Sequence, residues 1–263
     1  LSQLQSSPPL LQDAAATLFA IIGARALVKF FETLKQEDII DQKLSRKLVH
    51  TLAGPLFLLT WPLFSSEPSA RFFAAVVPAL NALRLFLIGT KLVNSTKTVK
   101  AVSRTGDPTE LLGGPFYYAI ILVAITLLWW RNSATGLLVA AVMCGGDGLA
   151  DIAGRRWGNG LSLPWNSNKT WAGSVAMLVG GWGLGVGLIM LFSVVMGYFE
   201  VVGGGDVWAM AGRVGVISLV ATVIESLPIN KVVDDNLSVP LVAAVMGSLL
   251  LRELPPTLRL FLQ

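Results

Sequence analysis

Eight long apolar stretches divide the chain, and no other feature constrains its fold as strongly. They cover 13–31, 48–64, 70–88, 115–130, 134–149, 171–198, 207–227 and 237–251. A helix needs roughly 20 mostly apolar residues to cross a bilayer. Several of the stretches are short for that, so eight spans are expected, with six or seven as alternatives. The composition agrees: 14% of the residues are charged and the mean hydropathy is +0.67. A soluble domain usually carries about 25% charged residues. The expected fold class is all-α, a polytopic transmembrane helical bundle forming one domain over 13–263. Residues 1–12 are expected to be a flexible leader, because LSQLQSSPPLL has neither a basic start nor a cleavage pattern. A start at Leu1 fits either a removed targeting segment or truncation.

The basic residues follow the stretches. The first loop carries Lys35, Lys43, Arg46 and Lys47, and the third Lys91, Lys97, Lys100 and Arg104. The fifth carries Arg155, Arg156 and Lys169, and the seventh Lys231. The even loops carry Arg71 and Arg131, while Arg252 and Arg259 follow the last stretch. Such alternation is the positive-inside pattern and puts every odd loop on one side. It also accounts for the net charge of +4 without a nucleic-acid partner, since no basic stripe with interleaved aromatics is present. One cysteine, Cys144, allows no intramolecular disulfide, and one histidine, His50, no multi-histidine zinc site.

The polar residues concentrate at the odd loops. The fifth stretch runs into what reads as a glycine-rich turn, CGGDGLADIAGRRWG, which is followed by NKTWAGS. Asp147 and Asp151, four apart, share a helical face and suit Mg²⁺, which takes few protein ligands plus substrate phosphates. Gly146, Gly148, Gly154 and Gly158 would let backbone approach phosphates. Arg155, Arg156 and Lys169 would pair with phosphate oxygens. A helix starting near Lys169–Trp171 would aim its positive end at an anion.

A second acidic group, Glu225 with Asp234, Asp235 and Asn236, lies at the same membrane edge by the loop count. One of its acids is expected to cap the last helix, and the others to hold a second metal ion or position a hydroxyl. Arg46 and His50 share a face at the start of the second stretch. Asn81 and Arg84 lie within the third and are expected to face the bundle interior. Arg25 and Lys29 read as snorkelling side chains. Gly181/Gly185 and Gly183/Gly187 have the spacing of close helix packing, and Gly203–Gly205 reads as a turn.

Taken together, these motifs resemble the polyprenol/dolichol kinase family of CTP-using integral-membrane lipid kinases. The resemblance rests on Asp147, Ala150, Gly154 and Gly158, followed by Lys169, Thr170, Gly173 and Ser174. Within the family the chain is similar to the plant phytol kinases and the related farnesol kinases, through RKLVH (46–50), WPLFSS (61–66), ELLGGP (110–115), ESLPI (225–229) and DDNLSVPL (234–241). Gly113 departs from the lysine expected there.

The resemblance implies transfer of a phosphoryl group from CTP to phytol in a chloroplast membrane, giving phytyl phosphate for tocopherol synthesis. Farnesol and geranylgeraniol stay open as substrates. It also implies a nucleotide region holding Gly146, Gly148, Gly154, Arg155, Arg156, Gly158, Lys169, Thr170, Gly173 and Ser174. Mg²⁺ would rest on Asp147 and Asp151, with Asp235 for a second ion. Glu225, Asp234 or Asp235 would orient the alcohol, and Arg46, His50, Asn81, Arg84 and Asn236 would line the site. A CDP-lipid cytidylyltransferase would need similar acids, and a transporter would also place charges in a bundle. The oligomeric state is left open.

Overall fold

The structure, a computed structural model, describes residues 8–103, 105–200, 206–228 and 233–251. Arg104, Gly203–Gly205, Lys231, Arg252 and Arg259 lie outside the described residues. The architecture is helical, with one two-stranded hairpin. Among the described residues, six helices are long and apolar enough to cross a membrane. The chain divides after Leu127 into two compact units.

The first unit contains α1 (Pro9–Gln36), α2 (Gln42–Leu58), α3 (Ala70–Gly89), α4 (Thr96–Val102) and α5, which starts at Gly114 and ends at Leu128. Helix α1 begins with proline at its first position, where the missing N–H costs no hydrogen bond. It therefore takes in residues 9–12 of the expected leader. Buried Asp13 accepts hydrogen bonds from the backbone and hydroxyl of Ser65 at 2.7 and 2.9 Å, tying α1 to the segment before α3. The apolar stretch at 48–64 is not one helix. Helix α2 stops at Leu58 after 17 residues, and a single 3₁₀ turn follows at Trp61–Leu63. Ala82, Leu85, Ile88, Val99, Leu111 and Ala119 form a core among α3, α4 and α5.

The second unit is built around the helix Ala134–Trp157. Of its most apolar window 78% is buried, against at most 39% for any other spanning candidate. It comprises α6 (Ala134–Ala141), a π-helical turn at Val142–Gly146 and α7 (Asp147–Trp157). Then come strands β1 (Ser162–Leu163) and β2 (Asn166–Thr170), α8 (Trp171–Met190), α9 (Val207–Ser226) and α10 (Asp235–Leu250).

The glycine-rich turn expected after the fifth stretch is absent, because the helix runs through it. Glycine weakens a helix by about 1 kcal/mol relative to alanine, but here it permits close packing that offsets the cost. A Cβ on Gly145 would lie 2.8 Å from a Leu184 methyl, and one on Gly180 would lie 2.6 Å from the Gly145 carbonyl. Lower down, a Cβ on Gly173 would lie 2.9 Å from the Ala150 carbonyl. Helices α7 and α8 thus meet backbone to backbone along these residues. Gly181 and Gly185 also face neighbours closely, whereas Gly183 and Gly187 face open space.

Candidate active site

Helix α7 ends at Gly158, where Asn159 and Gly160 take positive φ values of 41° and 76° and turn the chain away. The β1–β2 hairpin then carries it to α8. This hairpin pairs Ser162 with Thr170 and Leu163 with Asn166. Its tip is fastened to the end of α9. Buried Asn166 donates through Nδ2 to the carbonyls of Ser226 and Leu227 at 3.1 and 3.3 Å. The Trp165 indole N–H reaches Ser226 Oγ at 3.2 Å. These bonds satisfy carbonyls that a helix C-terminus leaves without intrahelical donors. Trp157, Leu161, Trp165 and Trp171 stand exposed around the hairpin.

Fastening the hairpin there brings Lys169 over two carboxylates. Its Nζ lies 2.5 Å from Glu225 Oε1, at the end of α9, and 2.9 Å from Asp235 Oδ2, in the first turn of α10. The side chains of Lys169 and Asp235 are each 19% exposed, and that of Glu225 is 4% exposed. Burial alone would depress the lysine pKa, but the charges of Glu225 and then Asp235 outweigh it and hold Lys169 above its ordinary 10.5. Asp147, at the start of α7, lies near enough for its charge to act on both Glu225 and Asp235. Two acids and one lysine from the hairpin, α9 and α10 therefore meet at one end of this unit, and the charge of Asp147 on α7 reaches them.

The neighbouring residues have narrower places. Asp234 is the helix cap anticipated in the acidic group: its carboxylate accepts from the backbone and side-chain nitrogens of Asn236 at 2.8 and 2.9 Å. Asp151 shares a face with Asp147, but its carboxylate is taken by Arg155 one turn on, at 2.5 Å. Arg156 is exposed. Thr170 caps α8 by accepting from Gly173 N–H at 3.1 Å, and Ser174 is half-buried in the first turn of α8. Gly146, Gly154, Gly158 and Gly173 sit where helices, or a helix and Thr170, approach closely, and Gly148 is buried within α7.

In the other unit, Arg46 donates to the Ser103 carbonyl at 3.0 Å. The His50 carbonyl accepts from the Tyr118 hydroxyl at 3.0 Å, and the two rings are 4.3 Å apart. Asn81 and Arg84 are exposed on α3 and do not face the bundle interior. Arg84 donates to the Thr98 hydroxyl at 2.6 Å. Sequence reasoning missed Asn166 and the hairpin altogether, because strands of two and five residues are too short to show alternation.

Among the described residues, no three His, Cys, Asp or Glu side chains are grouped to hold a metal ion. Mg²⁺ takes one or two carboxylates plus phosphate oxygens, so carboxylates such as Asp147 and Asp235 are of the chemical type that could hold it.

Over 246 residues the chain is 46% identical to a probable phytol kinase 1, chloroplastic, of Oryza sativa subsp. japonica, covering 93% of this chain and 76% of that relative. The chain belongs to the phytol kinase family. A probable phytol kinase 1, chloroplastic, of Glycine max is 49% identical over 88% of this chain and 75% of its own length. Phytol kinase 1, chloroplastic, of Arabidopsis thaliana is 43% identical over 92% and 77%. No family model and no solved structure matches. This member of the phytol kinase family is thus a kinase-type transferase. Six bilayer-length apolar helices and chloroplastic relatives make it an integral protein of a chloroplast membrane.

Proposed function

We propose that this enzyme transfers the terminal phosphoryl group of CTP to the hydroxyl of phytol, yielding phytyl phosphate and CDP, and that the product feeds tocopherol synthesis. The observation that carries the reading is the family match over nearly the whole chain. The buried cluster of Lys169, Glu225 and Asp235 and the motif resemblance to CTP-using kinases support it.

Phosphoryl transfer depends mainly on positioning and charge neutralisation around a loose transition state. A lysine ammonium has three N–H donors. Glu225 and Asp235 take two, and the third is available to an oxygen of the transferring group. Glu225 or Asp235 would accept the proton of the attacking hydroxyl, since Asp234 is engaged as a cap. Arg155 and Arg156, in the last turn of α7, would face the remaining phosphates. Mg²⁺, when bound by Asp147 with Asp235, would neutralise donor phosphate charge. Phytol is apolar apart from its hydroxyl, so it would enter from the bilayer with its head at the cluster.

The test uses purified protein in detergent with a matrix of labelled nucleotides and prenols. Phytyl phosphate and CDP are the expected products. Release of pyrophosphate would make the enzyme a cytidylyltransferase. Preference for farnesol, geranylgeraniol or another nucleotide would overturn the substrate or the donor separately.

A further inference from the structure

Beyond the Lys169 cluster, the first unit has a cleft of about 400 Å³ between the outer face of α3 and the segment leading into α4. Leu80, Leu83 and Leu87 form its wall on α3, with Asn94 and Ser95 at its mouth. Arg84 stands among the leucines, one turn from Leu80 and from Leu87. Its guanidinium donates to the Thr98 hydroxyl, and among the described residues no carboxylate lies within ion-pair distance of it. A guanidinium presents five N–H donors in a planar fork. An arginine on an apolar, bilayer-length helix marks a candidate functional site, and here its fork keeps donors beyond the one given to Thr98.

The wall is as informative as the charge. Leu80 and Leu83 are 49% and 53% exposed, so the cleft opens on an exposed apolar face of α3, a helix long and apolar enough to cross a membrane. An occupant arriving there comes from the bilayer and lays a chain along the leucines. Its head reaches an arginine fork that matches phosphate geometry, with an amide and a hydroxyl beside it. The volume lies at the small end of the range for ligand pockets, which favours one chain over two.

We infer that this cleft binds a single-chain lipid monophosphate, and that its occupant is the prenyl monophosphate formed by the enzyme. The identity of the occupant rests on the proposed function; the phosphate chemistry rests on Arg84 alone. The cleft would hold the product after transfer, with the phosphate on Arg84 and the tail against α3.

The experiment is equilibrium binding, without nucleotide, of labelled phytyl monophosphate and labelled phytol to full-length protein in nanodiscs of zwitterionic lipid. The wild type should bind the monophosphate in preference to phytol. Arg84→Gln should weaken monophosphate binding by about 10- to 100-fold, the range for losing a charge-assisted contact, and leave phytol binding unchanged. Leu83→Trp, at an exposed position, should weaken monophosphate binding by obstructing the wall and leave phytol binding, which belongs to the Lys169 cluster, unchanged. Monophosphate binding that Arg84→Gln leaves intact overturns the proposal. So does displacement of the monophosphate by anionic diacyl phospholipid at equal concentration, which would make the cleft a bilayer-lipid site. Turnover of phytol by the same wild-type preparation is measured separately, so failure of the kinase reading is distinguishable from failure of the cleft.

Discussion

Replacing Lys169 by methionine removes the cation from a cluster of buried acids. At an effective dielectric constant of about 20, contacts of 2.5 and 2.9 Å each carry a gross attraction of about 6 kcal/mol. Desolvation of the three charges cancels most of it. What the substitution exposes is the cost of leaving Glu225 and Asp235 facing each other, about 3–5 kcal/mol for a buried site. The residual 19% exposure of Lys169 and Asp235 argues for the lower end. About 3 kcal/mol lowers the melting temperature of a chain this size by roughly 6–12 °C. Turnover should fall by about 10²–10³, the usual cost of losing one charge-stabilising donor. The two effects separate in a second variant. Lys169→Met combined with Glu225→Gln removes one uncompensated charge and should recover part of the lost stability, but none of the lost turnover. The assays are thermal unfolding in detergent and phytol phosphorylation against varied CTP. An unchanged melting temperature in Lys169→Met would refute the buried cluster. Recovery of turnover in the double variant would show that Lys169 only neutralises its neighbours.

Four further outcomes follow. Because the pKa of Lys169 is raised, its contribution to stability is complete below 10.5 and is lost only as pH climbs through the higher folded value; the difference in melting temperature between wild type and Lys169→Met should therefore not shrink between pH 7 and 10, and a gap closing below pH 9 would contradict this. Asp147→Asn should reduce turnover by about 10²–10³ while leaving thermal unfolding unchanged, and near-normal turnover at limiting Mg²⁺ would remove Asp147 from the site. Gly173→Ala, which sets a Cβ 2.9 Å from a backbone carbonyl, should destabilise by about 1–3 kcal/mol, whereas Gly183→Ala, facing open space, should be neutral or stabilising in the same melting assay. Cysteines at exposed Asn159 and Val233, in a Cys144→Ser background, should react with an impermeant reagent from the same side of sealed vesicles, and labelling from opposite sides would separate the hairpin from α10.

Hydropathy located the long helices because lipid imposes the same demand on every spanning residue. It failed at 48–64, where the apolar run continues beyond Leu58 although the helical hydrogen bonding does not. Counting apolar residues does not distinguish a helix from a packed turn. The acids and Lys169 were legible singly, as polar residues in an apolar chain. Their partners were not, because 56 residues separate Lys169 from Glu225 and 66 separate it from Asp235, and no periodicity relates such distances. The four-residue spacing of Asp147 and Asp151 suggested a shared ion, and the structure adds that Arg155, at the same spacing from Asp151, pairs with its carboxylate. The glycines were ambiguous for a different reason. A missing Cβ serves a phosphate loop and a close helix crossing equally well, and only the position of α8 shows the crossing.

The tryptophans around the hairpin give the cluster a reference height. An indole is large and apolar with one polar N–H, and it settles where lipid headgroups meet hydrocarbon. Trp157, Trp165 and Trp171 are exposed around the strand that bears Lys169, so indoles settling at the interface would level the ammonium against the bilayer surface as well as against its own helices. A long alcohol dissolved in the same bilayer rests its hydroxyl at that surface. Under the proposed function, protein and substrate would thereby be aligned by a common plane before they touch. Where the bilayer is thicker or thinner, helices can tilt, while a hairpin anchored at the interface by its indoles would keep the proposed meeting point of hydroxyl and carboxylate in place.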